Sequence, residues 1–223
     1  MKTIIVAEQR TGHHAICMWA MSMDPAPVSL TFRSNVLLSK SPKYKADDHR
    51  VPDPDKSIHA FECFDLADLP RITPHVHRVG VVVRDGYNWM ASLLAMLRDN
   101  PIHQRDTPLT RGGNRPGLDW VASWKQHVRT AINPYGDVRP ISFNEWYSSD
   151  SYRIALAKWF GFDDDGNPYT RIRSPEGGGS FGADRRVLER WKTLQPNDHH
   201  WVDDEMRELT KEFFGMDCPW HVT

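Results

Sequence analysis

Arg10-Thr11-Gly12-His13-His14 is the stretch whose residue types and spacing can do chemistry. It follows the apolar run Ile4-Ile5-Val6-Ala7. It precedes Ala15-Ile16-Cys17-Met18-Trp19-Ala20-Met21, which reads as a helix. At such a strand–turn–helix junction the first helical N–H groups lack intrahelical partners and attract anions, phosphates above all. Arg10 adds a full positive charge and Thr11 a hydroxyl donor. The chemistry on offer is therefore the binding and polarisation of a phosphate-like group. It is not the usual binding of Mg-ATP. A Walker A loop, G-x-x-x-x-G-K-[ST], needs a lysine after its last glycine and a hydroxyl for the metal. Here His13 and His14 follow Gly12, and the basic residue precedes it by two.

A second unit of the same kind lies further on. Val79-Gly80-Val81-Val82-Val83 has the β-branched content of a buried parallel strand. It ends at Arg84-Asp85-Gly86, and a helical pattern follows through Trp89, Leu93, Leu94, Met96 and Leu97.

The two units together resemble the sulfotransferase family. There a P-[KR]-[ST]-G-[TS]-[TS] loop after the first strand binds the 5′-phosphosulfate of 3′-phosphoadenosine 5′-phosphosulfate. Arg10-Thr11-Gly12-His13-His14 matches that run, with Gln9 in place of the proline and two histidines in place of the two hydroxyl residues. The family's R-[DN]-P strand end is followed by a serine eight residues after the arginine, and the two hold the donor's 3′-phosphate. Arg84 and Ser92 have that spacing, with Gly86 in place of the proline. Arginine suits the task because its planar fork pairs with two phosphate oxygens at once.

The resemblance implies a sulfuryl transfer from that donor to a hydroxyl or amine on a small-molecule or glycan acceptor, with no metal. Gln9 through Ala15 would form the 5′ cradle, with main-chain N–H groups of Gly12, His13 and His14 on the phosphosulfate. Arg10 would stabilise the leaving phosphate, and the His14 imidazole would donate where the family uses a hydroxyl. The acceptor's base is expected on the strand or turn that precedes the arginine strand, here in the run Ile58 to Asp65, with Glu62 as first choice and His59 as second. Phe143 and Glu145 fall in the aromatic and acidic positions of a family motif of the Y-E-D-L type. Near the C-terminus, Gly178, Gly179 and Ser180 lie in a basic, glycine-containing segment, which the family uses to close over the nucleotide. A small-molecule kinase on the same fold and a non-catalytic nucleotide-binding member are the rival readings.

The elements that must position these residues form an α/β pattern: a three-layer, P-loop-like fold with a central, mainly parallel sheet flanked by helices. Strands are expected near residues 3–7, 28–33, 58–64, 79–83 and 138–143. Residues 117–132 read as an amphipathic helix with Leu118, Val121, Trp124, Val128 and Ile132 on one face. A helix carrying Ile154, Leu156, Ala157, Trp159 and Phe160 should stop at Gly161. Two C-terminal helices are expected at about 183–194 and 202–214. The polar stretches 39–57 and 100–116 read as surface loops, placed where acceptor-binding lids sit in such folds.

Length and composition set the outer bounds. The 223 residues read as one domain, 1–223. A net charge of −1 points away from bulk electrostatic binding to nucleic acid or membrane, so any anion site must be a local cluster. No apolar run is long enough to span a bilayer, and the N-terminal one is too short for a signal peptide. Cys17, Cys63 and Cys218 cannot all pair within one chain, which favours a reducing, cytoplasmic setting. His75 and His77 lack partner ligands for a metal, and His199-His200 reads as a solvated turn.

Overall fold

The structure is a computed structural model that describes residues 3–23, 31–34, 58–62, 66, 69, 78–99, 120–162 and 187–220. Its elements run β1 (Thr3–Ala7), α1 (His13–Ser22), β2 (Thr31–Ser34), β3 (Ile58–Glu62), β4 (Arg78–Val83) and α2 (Gly86–Asp99). They continue with α3 (Trp120–Ile132), β5 (Val138–Ser142), α4 (Phe143–Ser148) and α5 (Asp150–Phe160). Two 3₁₀ segments, Val187–Thr193 and Pro196–Trp201, precede α6 (Asp204–Phe214).

The five strands form one sheet in the order β2-β3-β1-β4-β5, and every pairing is parallel. All carboxyl ends therefore meet one edge. β1 is central, and the chain leaves it first toward β2 and β3 and then returns to β4 and β5 on its other side. That reversal opens a crevice at the carboxyl end of β1, where open parallel sheets bind ligands.

Alternation along β1 divides the core between two faces. Ile4 and Val6 pack with Val79, Val81 and Val83 under α2, α3 and α6, through Trp89, Leu93, Trp124, Val128 and Met206. Ile5 and Ala7 pack with Val82 and Ile141 against α1 and α5, through Ile16, Trp19, Leu156 and Phe160. Burial on both faces explains why β1 and β4 read as continuous apolar runs rather than alternating ones.

The helix starts are capped by side chains. Asp85 accepts the Asn88 N–H at 2.8 Å at the start of α2, and Asp203 accepts that of Met206 at 2.9 Å at the start of α6. α5 ends at Gly161 in the left-handed conformation, as its sequence position implied. Two elements depart from expectation. Ser142 caps a new helix by accepting the Glu145 N–H, so Phe143 opens α4 instead of ending β5. The expected helix near 183–194 is 3₁₀ over its described part.

Gly80 leaves no room for a side chain. A Cβ there would lie 2.6 Å from Ile141 Cδ1 and 2.9 Å from Ile5 Cδ1. Gly80→Ala is expected to cost about 1–3 kcal/mol through overpacking, read as a lower urea midpoint at unchanged m-value.

Candidate functional site: an arginine cluster at the carboxyl edge

Register brings the two sequence motifs together. Ala7 pairs with Val82 and Val83 with Ser142, so the β1–α1 loop, the end of β4 and the start of α4 lie side by side. The loop is built by its own main chain. Thr11 Oγ1 donates to the Glu8 carbonyl at 2.8 Å. The Gln9 N–H donates to Glu8 Oε1 at 2.9 Å, and the Gln9 carbonyl accepts from Trp89 Nε1 at 2.7 Å. Arg10 adopts φ 67°, a left-handed conformation rare for a side-chain-bearing residue. Gly12, at φ 90°, closes the turn by accepting the Ala15 N–H at 3.0 Å.

The histidines occupy the first two positions of α1. His13 is buried and His14 half-buried, with their rings edge-on at 4.3 Å. Their main-chain N–H groups belong to the first turn, where the helix dipole favours an anion. Ala15, in contrast, already gives its N–H to Gly12, and Thr11 already gives its hydroxyl proton to Glu8.

Three arginines converge on Ser92. Arg84 Nη1 donates to Ser92 Oγ at 3.1 Å, and Arg190 Nη1 donates to the same oxygen at 3.0 Å. Arg10 Nε donates to the Ser92 carbonyl at 3.3 Å. Arg84 also reaches the carbonyls of Arg10 and Val187, and its guanidinium lies over the Phe143 ring at 5.0 Å. Its Nε is buried and makes no hydrogen bond among the described residues. Arg84 is only 3% exposed, and Ser92 only 2%.

The electrostatics match the geometry. Burial pulls the Arg84 guanidinium down to about 9; Asp85 opposes this, while Arg190 and Arg10 add to it. Arg84 thus remains a cation at neutral pH in a place that resists positive charge. The buried Asp85 carboxylate beside it is held by Asn88 Nδ2 and by Asn144 Nδ2, the latter at 2.9 Å. This arrangement can bind a phosphate-like dianion through charge-assisted hydrogen bonds.

Among the expected base residues, backbone register separates Glu62 from His59. Glu62 pairs with Ala7 at the carboxyl edge, beside the loop, and His59 pairs with Ile4. Three residues of strand put His59 about 10 Å back from that edge. Gly178, Gly179 and Ser180 lie outside the described residues. Arg190 was not foreseen. In sequence it is one arginine in an expected C-terminal helix, and only the fold carries it to Ser92. Among the described residues no group of three or more His, Cys, Asp or Glu side chains could hold a metal, and no helix is long and apolar enough to cross a membrane.

Comparison with known structures identifies the architecture. The fold matches that of mouse sulfotransferase SULT7A1, solved in complex with PAP, with a TM-score of 0.58 at 15% identity. The match covers 94% of this chain and 84% of that one. The chain thus has a sulfotransferase-like, P-loop-like α/β fold. No protein-family model matches the sequence. No curated protein matches it either.

Gly12 is the tightest point of the loop. A Cβ there would lie 2.3 Å from the Phe143 ring, on a backbone that disfavours any side chain. Gly12→Ala should cost about 2–4 kcal/mol from strain and overlap together, measured by chemical denaturation.

Proposed function

We propose that the protein is a sulfotransferase that moves a sulfuryl group from 3′-phosphoadenosine 5′-phosphosulfate to the hydroxyl or amine of a small-molecule or glycan acceptor. The observation that carries this reading is the convergence of Arg84, Arg190 and Arg10 on Ser92, beside a helix N-terminus. That provides two anion-binding features at one sheet edge, and a 3′,5′-bisphosphate carries two phosphates. The fold likeness to a PAP-bound sulfotransferase supports the same assignment.

In this scheme the N–H groups of His13 and His14 cradle the 5′-phosphosulfate, and Arg84, Ser92 and Arg190 hold the 3′-phosphate. Arg10, poised between them, offsets the charge that builds on the leaving phosphate. Sulfuryl transfer, like phosphoryl transfer, asks the protein mainly for position and positive charge. The acceptor's proton must pass to a base at the open edge, for which Glu62 at the end of β3 is the candidate the sequence offers.

Adenosine 3′,5′-bisphosphate should stabilise the protein, whereas ATP with Mg²⁺ should not. At ~100 times its dissociation constant the ligand adds about 2.7 kcal/mol, which for a chain of this size raises Tm by roughly 5–10 °C. Arg84→Ala should weaken binding by about 10–100-fold, the worth of one set of charged hydrogen bonds. A shift with Mg-ATP alone would indicate a kinase. A shift with the bisphosphate but no donor turnover would indicate a binding-only member.

The affinity should also depend on pH in a defined direction. A bound phosphate favours the protonated Arg84 guanidinium and raises its pKa, which is about 9 in the free protein. Affinity is therefore full below that value and falls as pH rises through it. Isothermal titration of the bisphosphate across this range reads the effect, and Arg84→Lys should displace the transition.

A further inference from the structure

Among the buried carboxylates of the described residues, that of Glu8 lies at the loop itself. Glu8 is fully buried, although it stands only two residues before Arg10. It continues the β1 face of Ile4 and Val6, the face covered by α3. There its Oε2 accepts a hydrogen bond from Ser123 Oγ of α3. Glu8 is thus buried beneath a half-buried serine. One turn along α3, His127 Nδ1 contacts the Ser123 carbonyl at 2.8 Å. The next residue, Trp124, donates to the Arg84 carbonyl at 3.0 Å. This part of α3 therefore lies at the same sheet edge as the anion-binding loop.

We propose that Ser123 and Glu8 form the proton relay that deprotonates the acceptor, with Ser123 touching the acceptor and Glu8 acting through it. The inference rests on the sulfotransferase reading. In-line transfer requires the acceptor to approach sulfur from the side opposite the leaving phosphate. As the acceptor oxygen or nitrogen bonds to sulfur, its proton passes to Ser123 Oγ, and the Ser123 proton passes to Glu8 Oε2. The bond between sulfur and the 5′-phosphate oxygen breaks, and its electron pair leaves on the bisphosphate. Nothing is oxidised or reduced. The Gln9 N–H on Glu8 Oε1 fixes the carboxylate's orientation, so the relay and the loop share one anchor. The charged and titratable groups on the elements that meet here are Arg10 of the loop, His13, His14 and Cys17 of α1, His59 and Glu62 of β3, Arg78 of β4 with Arg84 and Asp85 after it, and Lys125, His127 and Arg129 of α3.

The test measures release of adenosine 3′,5′-bisphosphate from the donor, with water and 4-nitrophenol as acceptors, as a function of pH. Wild-type turnover should fall on the acid side as the carboxylate is protonated. Ser123→Ala and Glu8→Gln should lower turnover by roughly 100-fold or more, the usual worth of a general base, and lose that acid limb. Ser123→Thr, which keeps the hydroxyl, should restore turnover. Stabilisation by the bisphosphate is measured on every variant and should survive in Ser123→Ala, a substitution at a half-buried helix position that should fold even if Glu8→Gln does not. Full turnover in Ser123→Ala overturns the relay, as does an acid limb abolished only by Glu62→Gln. A wild type that binds the bisphosphate yet consumes no donor overturns it as well. Absence of any stabilisation by the bisphosphate instead refutes the nucleotide reading on which the relay depends.

Discussion

The site depends on one buried cation. The Arg84 guanidinium reaches the loop through the Arg10 carbonyl, α2 through the Ser92 hydroxyl and the C-terminal segment through the Val187 carbonyl, while the Phe143 ring covers it. A charge in such a place is costly unless it is paired and hydrogen-bonded. The chain meets this cost only in part. Asp85 lies next to it, but Arg190 and Arg10 push the other way. Strand order places this cation. Because β4 pairs with β1 on one side and β5 on the other, the residue after Val83 comes up between the loop and Phe143.

Around that cation the loop is held in shape before any ligand arrives. Glu8 accepts the Gln9 N–H and Trp89 donates to the Gln9 carbonyl, so both peptide units that flank Gln9 are held, and Thr11 folds back on Glu8. The same α2 turn that supplies Trp89 supplies Asn88. Asn88 donates to Asp85 and to the Leu188 carbonyl, and it accepts the Trp191 N–H. The segment that carries Arg190 is thereby tied to the helix that carries Ser92. A loop held in this way can meet an anion with little rearrangement.

Much of this architecture was legible in the sequence, because it follows from local patterns. The runs of β1 and β4 announced strands buried on both faces, and the spacing of Arg84 and Ser92 placed both on one side of the α2 entry. Non-local placement was not legible. Arg190 reaches Ser92 across 98 residues of chain, and the Glu8–Ser123 pair spans 115. No local periodicity reports such contacts. Nothing near Glu8 in the sequence marks it as buried. Phe143 was misplaced at the end of β5 for a local reason, because the capping role of Ser142 competes with a weak strand ending.

The most direct measurement compares the affinities of adenosine 3′,5′-bisphosphate and adenosine 5′-monophosphate for the wild type and for Arg84→Ala. If the arginine cluster holds a 3′-phosphate, the wild type should prefer the bisphosphate by about 10–100-fold, and the preference should largely vanish in the variant. Equal affinities in the wild type, or a preference that Arg84→Ala leaves intact, would contradict the account.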